Sequence, residues 1–190
     1  MEPNYGYVQS IPENNSKFSK KMILVAGGLV ISVIIAVILL FSSNQGGIST
    51  QAQYLLVRYS NMQAMLSDTK TTRNLKNQDL SNIITSFNLT ATTDYNDLIT
   101  ALAGQIPEKT NESIIAAESD AVTMQKIEDA YLENKLDAVY ADTLIKKIDS
   151  LRALIAEIYG LSKDQKIKST LVGVDENLRK TRQQIDELNL

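Results

Sequence analysis

In a chain with neither histidine nor cysteine, any catalysis would rest on Asp, Glu, Lys, Ser or Tyr. That composition removes imidazole acid–base chemistry, thiolate nucleophiles, disulfides and zinc sites built on Cys or His. Carboxylates do recur at helical spacing: Glu128 with Asp129 and Glu133, and Asp137 with Asp142. General acid–base catalysis could use such groups. None is accompanied by a recognisable base, nucleophile or glycine-rich loop, and solvated helix faces give the same pattern. The sequence holds no phosphate-binding glycine motif, no Glu-x-x-His pair and no EF-hand loop. The expectation is a non-enzyme without cofactor or metal.

One interval breaks a local rule. Thr69, Arg73 and Lys76 occupy positions of a register that is apolar on both sides. They could form a cationic patch facing an anionic ligand or a partner protein. Charge on a helix more often marks a stretch that rises into solvent. Asn88-Leu89-Thr90 and Asn111-Glu112-Ser113 match the N-glycosylation sequon, a match that arises easily in an Asn- and Thr-rich chain.

Charge narrows the partners. The net charge of -3 divides into +1 over residues 1–21 and -4 over residues 42–190, where 16 basic side chains face 20 acidic ones. A nucleic-acid binder needs a cationic surface to displace counterions from phosphates, so nucleic acid is not expected.

The elements that would position these residues begin with Met22 to Phe41, 20 residues without a charge. At ~1.5 Å per residue the run spans the ~30 Å hydrocarbon core of a bilayer. A cleaved signal would usually have an apolar region of only ~7–15 residues and end at a small-residue site, and none follows closely. An uncleaved transmembrane anchor is expected. Lys17, Lys20 and Lys21 crowd its N-terminal side, and the first charge on the other side is Arg58. The positive-inside rule then places residues 1–21, read as a disordered cytoplasmic tail, inside, and residues 42–190 outside the cytoplasm. Gly28, Ser32 and Ala36 fall four apart on one face and could let two such helices approach closely. Small residues are also simply common in membrane helices, the more frequent meaning of such a triplet.

After a spacer, residues 42–47, the pattern becomes helical. Leu55, Tyr59, Met62 and Leu66 lead into the polar interval, and Leu80, Ile83 and Phe87 follow it at spacings of four and three. This is either one long helix or two that meet near Asp68 to Asn77. A shorter helix is expected next, capped by Thr93, with Asp94 complementing its positive dipole end, Tyr95, Leu98, Ile99 and Leu102 on its apolar face and Gly104 and Pro107 ending it. From Glu108 to Tyr159 neither Gly nor Pro occurs. Ile114, Ala117, Ala121 and Met124 mark an early face, and Tyr140, Leu144, Ile148, Leu151, Ile155 and Ile158 a later one. The two share no register, so a break is expected near Asn134 to Asp137. Ser162 with Gln165 reads as a capping box before a last seam: Ile167, Leu171, Val174, Leu178, Thr181, Ile185 and Leu188.

Three or more seams in residues 48–190 imply an all-α domain, an antiparallel helical bundle with coiled-coil-like packing at about +20°. In outline the chain resembles bitopic cell-division proteins, which have a short cytoplasmic tail, one span and an outer coiled coil. The resemblance is one of architecture, without a shared motif. The function expected is a membrane-anchored interaction or scaffold protein of the cell envelope. Its partners would be the lipid bilayer and other envelope proteins or copies of itself. An extracytoplasmic sensor bundle acting through a separate partner is the alternative. A pilin-like subunit ranks last, because the processing motif of such subunits is missing at Met22.

Overall fold

Four helix starts share one device. Asp68, Asn77, Asn111 and Asp164 each turn a side-chain oxygen onto backbone N–H groups two or three residues ahead. The bonds include those to Lys70 (3.0 Å), Leu80 (2.9 Å), Ser113 (3.1 Å) and Lys166 (2.7 Å). First-turn N–H groups have no partner within a helix, and such a cap is worth about 1 kcal/mol.

The computed structural model describes residues 48–106 and 111–190. They form α1 (Ser49–Ser67), the single turn α2 (Thr69–Thr72), α3 (Gln78–Leu102) and a 3-10 turn (Ala103–Gln105). α4 (Glu112–Ala117), α5 (Ala121–Leu132), α6 (Leu136–Leu161) and α7 (Gln165–Asp186) complete the described part, which contains no strand. Among the described residues no helix is long and apolar enough to cross a membrane. The run Met22 to Phe41, the tail before it and the spacer 42–47 lie outside the described residues.

The long helices α1, α3, α6 and α7 make a four-helix bundle. α1 packs on α3 and α6, and α7 packs on the same two. Every neighbouring pair is antiparallel. Gln51 at the start of α1 reaches Glu157 late in α6 (3.1 Å), while Tyr140 early in α6 donates to the Met65 carbonyl late in α1 (3.1 Å). Gln63 and Ser67 of α1 bond to Ala91 and Asn88 of α3 in reversed order. Arg152–Asp175 and Asp149–Arg182, each 2.8 Å, do the same for α6 and α7. α4 and α5 lie outside this core, α4 against α1 and α5 against α6.

The seams read from the sequence become the core. Leu55, Tyr59, Met62 and Leu66 of α1 are buried, as are the six α6 positions from Tyr140 to Ile158. Ile167 through Ile185 at seam spacing are buried in α7, whereas Leu188 lies beyond the helix and is half-buried. Full burial of one such side chain stabilises by about 1.5–3 kcal/mol.

The polar interval resolves as the junction of two helices, with α2 between them. The break near Asn134 is also present. Asn134 adopts φ 63°, Asn134 N–H bonds to Tyr131 O (3.2 Å) and Lys135 N–H to Ala130 O (2.9 Å). This is a Schellman end, with Asn in the left-handed position it tolerates better than most residues.

Several expectations require correction. Thr93 starts no helix: α3 runs unbroken through it, because Phe87, Ala91, Tyr95 and Leu98 continue one buried face. The intervening threonines return their hydroxyls to carbonyls four residues back, as Thr92 does to Asn88 (2.9 Å), so they are satisfied inside a helix. The last helix is capped by Asp164, and Ser162 instead accepts from Asp164 N–H (3.2 Å). Ala117 and Ala121 are exposed and Met124 half-buried, because a second break at Glu118–Asp120 resets the register; Ile114, Ile127 and Ala130 are the buried anchors.

Candidate functional site

The exposed face between α1, α5 and α6 carries a polar groove of about 400 Å³ lined by Arg58, Asn61, Glu118, Asp120, Thr143 and Lys147, among others. α1 aims Arg58 outward from the seam, one position before the buried Tyr59. Its Nε and Nη2 grip both carboxylate oxygens of Glu118 (2.8 and 2.7 Å), and Nη1 donates to Ser150 Oγ (2.7 Å). The bond to Glu118 holds the guanidinium above its ordinary affinity for protons. Asn61 donates to the Glu118 carbonyl (2.6 Å). Lys147 meets Asp120 at 2.6 Å, and Asp142 lies between Lys146 (2.8 Å) and Lys126 (3.4 Å). The Lys146 contact is the chief reason that the Asp142 carboxyl lies below its usual range.

The groove therefore presents fixed charges already matched within the chain. Its hydroxyls act in the same way: Ser150 accepts from Arg58, and Thr143 donates to the Val139 carbonyl (2.7 Å). The network fastens the break between α4 and α5 onto the bundle, at a place where few apolar side chains do so.

Thr69, Arg73 and Lys76 are exposed at the far end of α1. They do not converge. Thr69 opens α2, while the backbone N–H of Lys76 donates to Asp137 (2.9 Å) and its ammonium to Asn134. Asp137 also accepts from Asn77 N–H (2.8 Å), so this carboxylate ties the start of α3 to the start of α6. Glu128 and Asp129 on α5 and Glu133 just after it are exposed, and Asp129 and Glu133 accept from Gln125 and Lys135. Among the described residues no three acidic side chains converge as a metal site. Neither sequon asparagine projects freely: Asn88 accepts from Ser67 Oγ, and Asn111 is the cap of α4. Gly28, Ser32 and Ala36 lie outside the described residues.

The group whose burial sequence reasoning misses, having expected it at a helix start, is Asp94. It is 5 % exposed, between Tyr59 of α1 (Oη to Oδ2, 3.3 Å) and Asn177 of α7 (Nδ2 to Oδ1, 2.9 Å). The Tyr59 and Tyr95 rings stack beside it at 5.9 Å. Its one signal in the sequence is the register: Asp94 falls three after Ala91 and four before Leu98, on the buried face. Burial raises the carboxyl affinity for protons against the opposing pull of the two hydrogen bonds. Burial likewise pushes Tyr95 up to about 12.

A carboxyl raised in the folded state supports stability fully below the ordinary carboxylate range, and loses that support as pH climbs through it. At neutral pH the buried charge is a cost. Asp94→Asn keeps the shape and removes the charge, so it is expected to raise Tm by a few degrees at pH 7. The gain should shrink toward zero below about pH 4. Thermal unfolding of both proteins across pH measures it, and a pH-independent difference would show that ionisation is not the cause.

Comparisons with protein-family models, with curated proteins and with solved structures found no match to this chain.

Proposed function

We propose that this chain is a membrane-anchored helical interaction protein, a non-catalytic bundle carried outside the cytoplasm on the run Met22 to Phe41. The observation that carries the interaction reading is where the large apolar groups left on the surface lie. The α1, α6 and α7 seams are spent inside the bundle, so they are not free to bind another chain. The two most exposed lie at the ends of α5, Val122 at 83 % and Leu132 at 77 %, with Tyr131 and Ile115 exposed nearby in sequence, while Leu89 (71 %) and Val172 (54 %) lie on α3 and α7. Exposed apolar groups next to polar rims are the usual material of protein contacts. The contact is with an envelope protein or a second copy.

Light scattering on the full chain in detergent and on the 48–190 fragment tests self-association. An oligomer that Val122→Asp with Leu132→Asp reduces to a monomer places the contact on α5. A strict monomer in both forms removes self-association. For the anchor and its direction, protease added to intact cells is expected to remove the C-terminal domain, and protection of that domain overturns the orientation. Gly28, Ser32 and Ala36 are the positions at which Leu substitution should weaken any dimer made through the apolar run.

The groove at Arg58 and Lys147 favours a second reading, a sensor of a small ligand acting through a separate partner. A rise in Tm of the 48–190 fragment with one compound of a screened set supports it, since a ligand that binds only the folded state must stabilise it.

A further inference from the structure

We infer that the α6–α7 turn is a membrane-surface contact, which rests the bundle on anionic lipid headgroups through Lys163, Lys166 and Lys168 with Tyr159 and Leu161. The inference rests on the reading of Met22 to Phe41 as an anchor.

Two observations lead to it. The first is which end of the bundle the turn occupies. Gln51 in the first turn of α1 bonds to Glu157 in the last turns of α6 (3.1 Å), so the turn 162–164 shares an end with Ser49. Seven residues, 42–48, join Phe41 to Ser49, eight steps along the chain that reach at most about 29 Å. A span ending at Phe41 keeps that end within a short tether of the lipid surface.

The second is the chemistry displayed there. Tyr159 is 42 % and Leu161 47 % exposed, and Lys163 and Lys166 are exposed beside them. Lys168 holds its ammonium 4.7 Å from the centre of the Tyr159 ring, so a cation and an aromatic body share one face. Two acids beside the turn are engaged, Asp164 as the cap of α7 through Lys166 and Ile167 N–H and Glu157 as acceptor from Gln51, while Glu112 and Asp97 toward the same end are exposed. Over residues 42–190 the chain is acidic, which makes three lysines within six residues a local reversal of sign. Tyrosine with an apolar body and a polar tip, flanked by lysines, suits the headgroup region, where each lysine gains from anionic lipid.

The absence of cysteine makes the test direct. Gln165→Cys, at an exposed position that leaves Tyr159, Leu161 and the lysines in place, takes a single polarity-sensitive fluorophore in the full chain. Asn74→Cys carries it at the opposite end. Both proteins are reconstituted into vesicles of phosphatidylcholine with phosphatidylglycerol and recovered by flotation. The expected result is quenching of the label at 165 by lipid-borne nitroxide, with none at 74. The quenching should be lost in Lys163→Glu/Lys166→Glu/Lys168→Glu while flotation is retained. A floated chain whose label at 165 behaves like that at 74 overturns the contact and leaves the anchor standing. Equal quenching on purely zwitterionic vesicles overturns the anionic headgroup as the partner. A chain that does not float overturns anchor and contact together.

Discussion

Replacing Tyr59 by Ala is expected to destabilise the bundle by about 3–5 kcal/mol, the range for deleting a large buried aromatic side chain. Tyr59 is fully buried, its ring stacks on Tyr95 and its hydroxyl meets Asp94. Truncation removes the packing of α1 against α3 and also strips Asp94 of one of its two partners. Tyr59→Phe separates the terms. It keeps the ring and removes only the hydroxyl, for about 1 kcal/mol. Urea unfolding followed by circular dichroism reads both. If the Ala and Phe variants lost equal stability, the hydroxyl and not the packed ring would be the dominant contribution. Asn177→Ala, which removes the other partner of Asp94 from α7, should fall between them and should depend on pH in the sense already given for Asp94.

Arg58→Ala should act locally. The guanidinium binds both carboxylate oxygens of Glu118 and also reaches Ser150 on α6. Both partners are partly screened by water, so the loss is about 1–2 kcal/mol and not the larger penalty of a buried pair. It falls on a segment that has little else. α4 and α5 are fastened by Ile114, Ile127 and Ala130, the Arg58–Glu118 and Lys147–Asp120 pairs and a few polar bonds. Hydrogen exchange should therefore quicken over 112–132, while α3 and α7 keep their protection, because local openings are governed by local contacts. Arg58→Lys should lie between, since an ammonium cannot make the two-pronged contact. Unchanged exchange over 112–132 would mean that the apolar anchors alone hold the segment.

The candidate site was only partly legible in the sequence. Thr69, Arg73 and Lys76 stand out in the sequence as the break in an apolar register, and in the fold this stretch is a junction: Lys76 and Asn77 offer their backbone N–H groups to Asp137, some 60 positions away in sequence. Asp94 was read as a helix-start acid because Thr93 is a good cap in isolation. Local propensity was overruled by the continuous face from Phe87 to Leu102, whose burial outweighs a cap worth about 1 kcal/mol. Arg58 drew notice only as the first charge after the apolar run, since nothing near it in sequence announces Glu118 or Ser150.

What the sequence determined by itself is whatever depends on spacing along one helix. The seams of α1, α6 and α7, a break near Asn134 to Asp137 and the uncharged run with lysines on one side are all readable from residue order. A helix puts positions three and four apart on one face wherever it occurs. The tertiary structure alone decided which seams face each other, that α1 and α7 share Asp94 with α3, and that Arg58 and Lys147 clamp an outer segment. Those pairings join residues far apart in sequence, and they depend on how four apolar faces close on one another to exclude water.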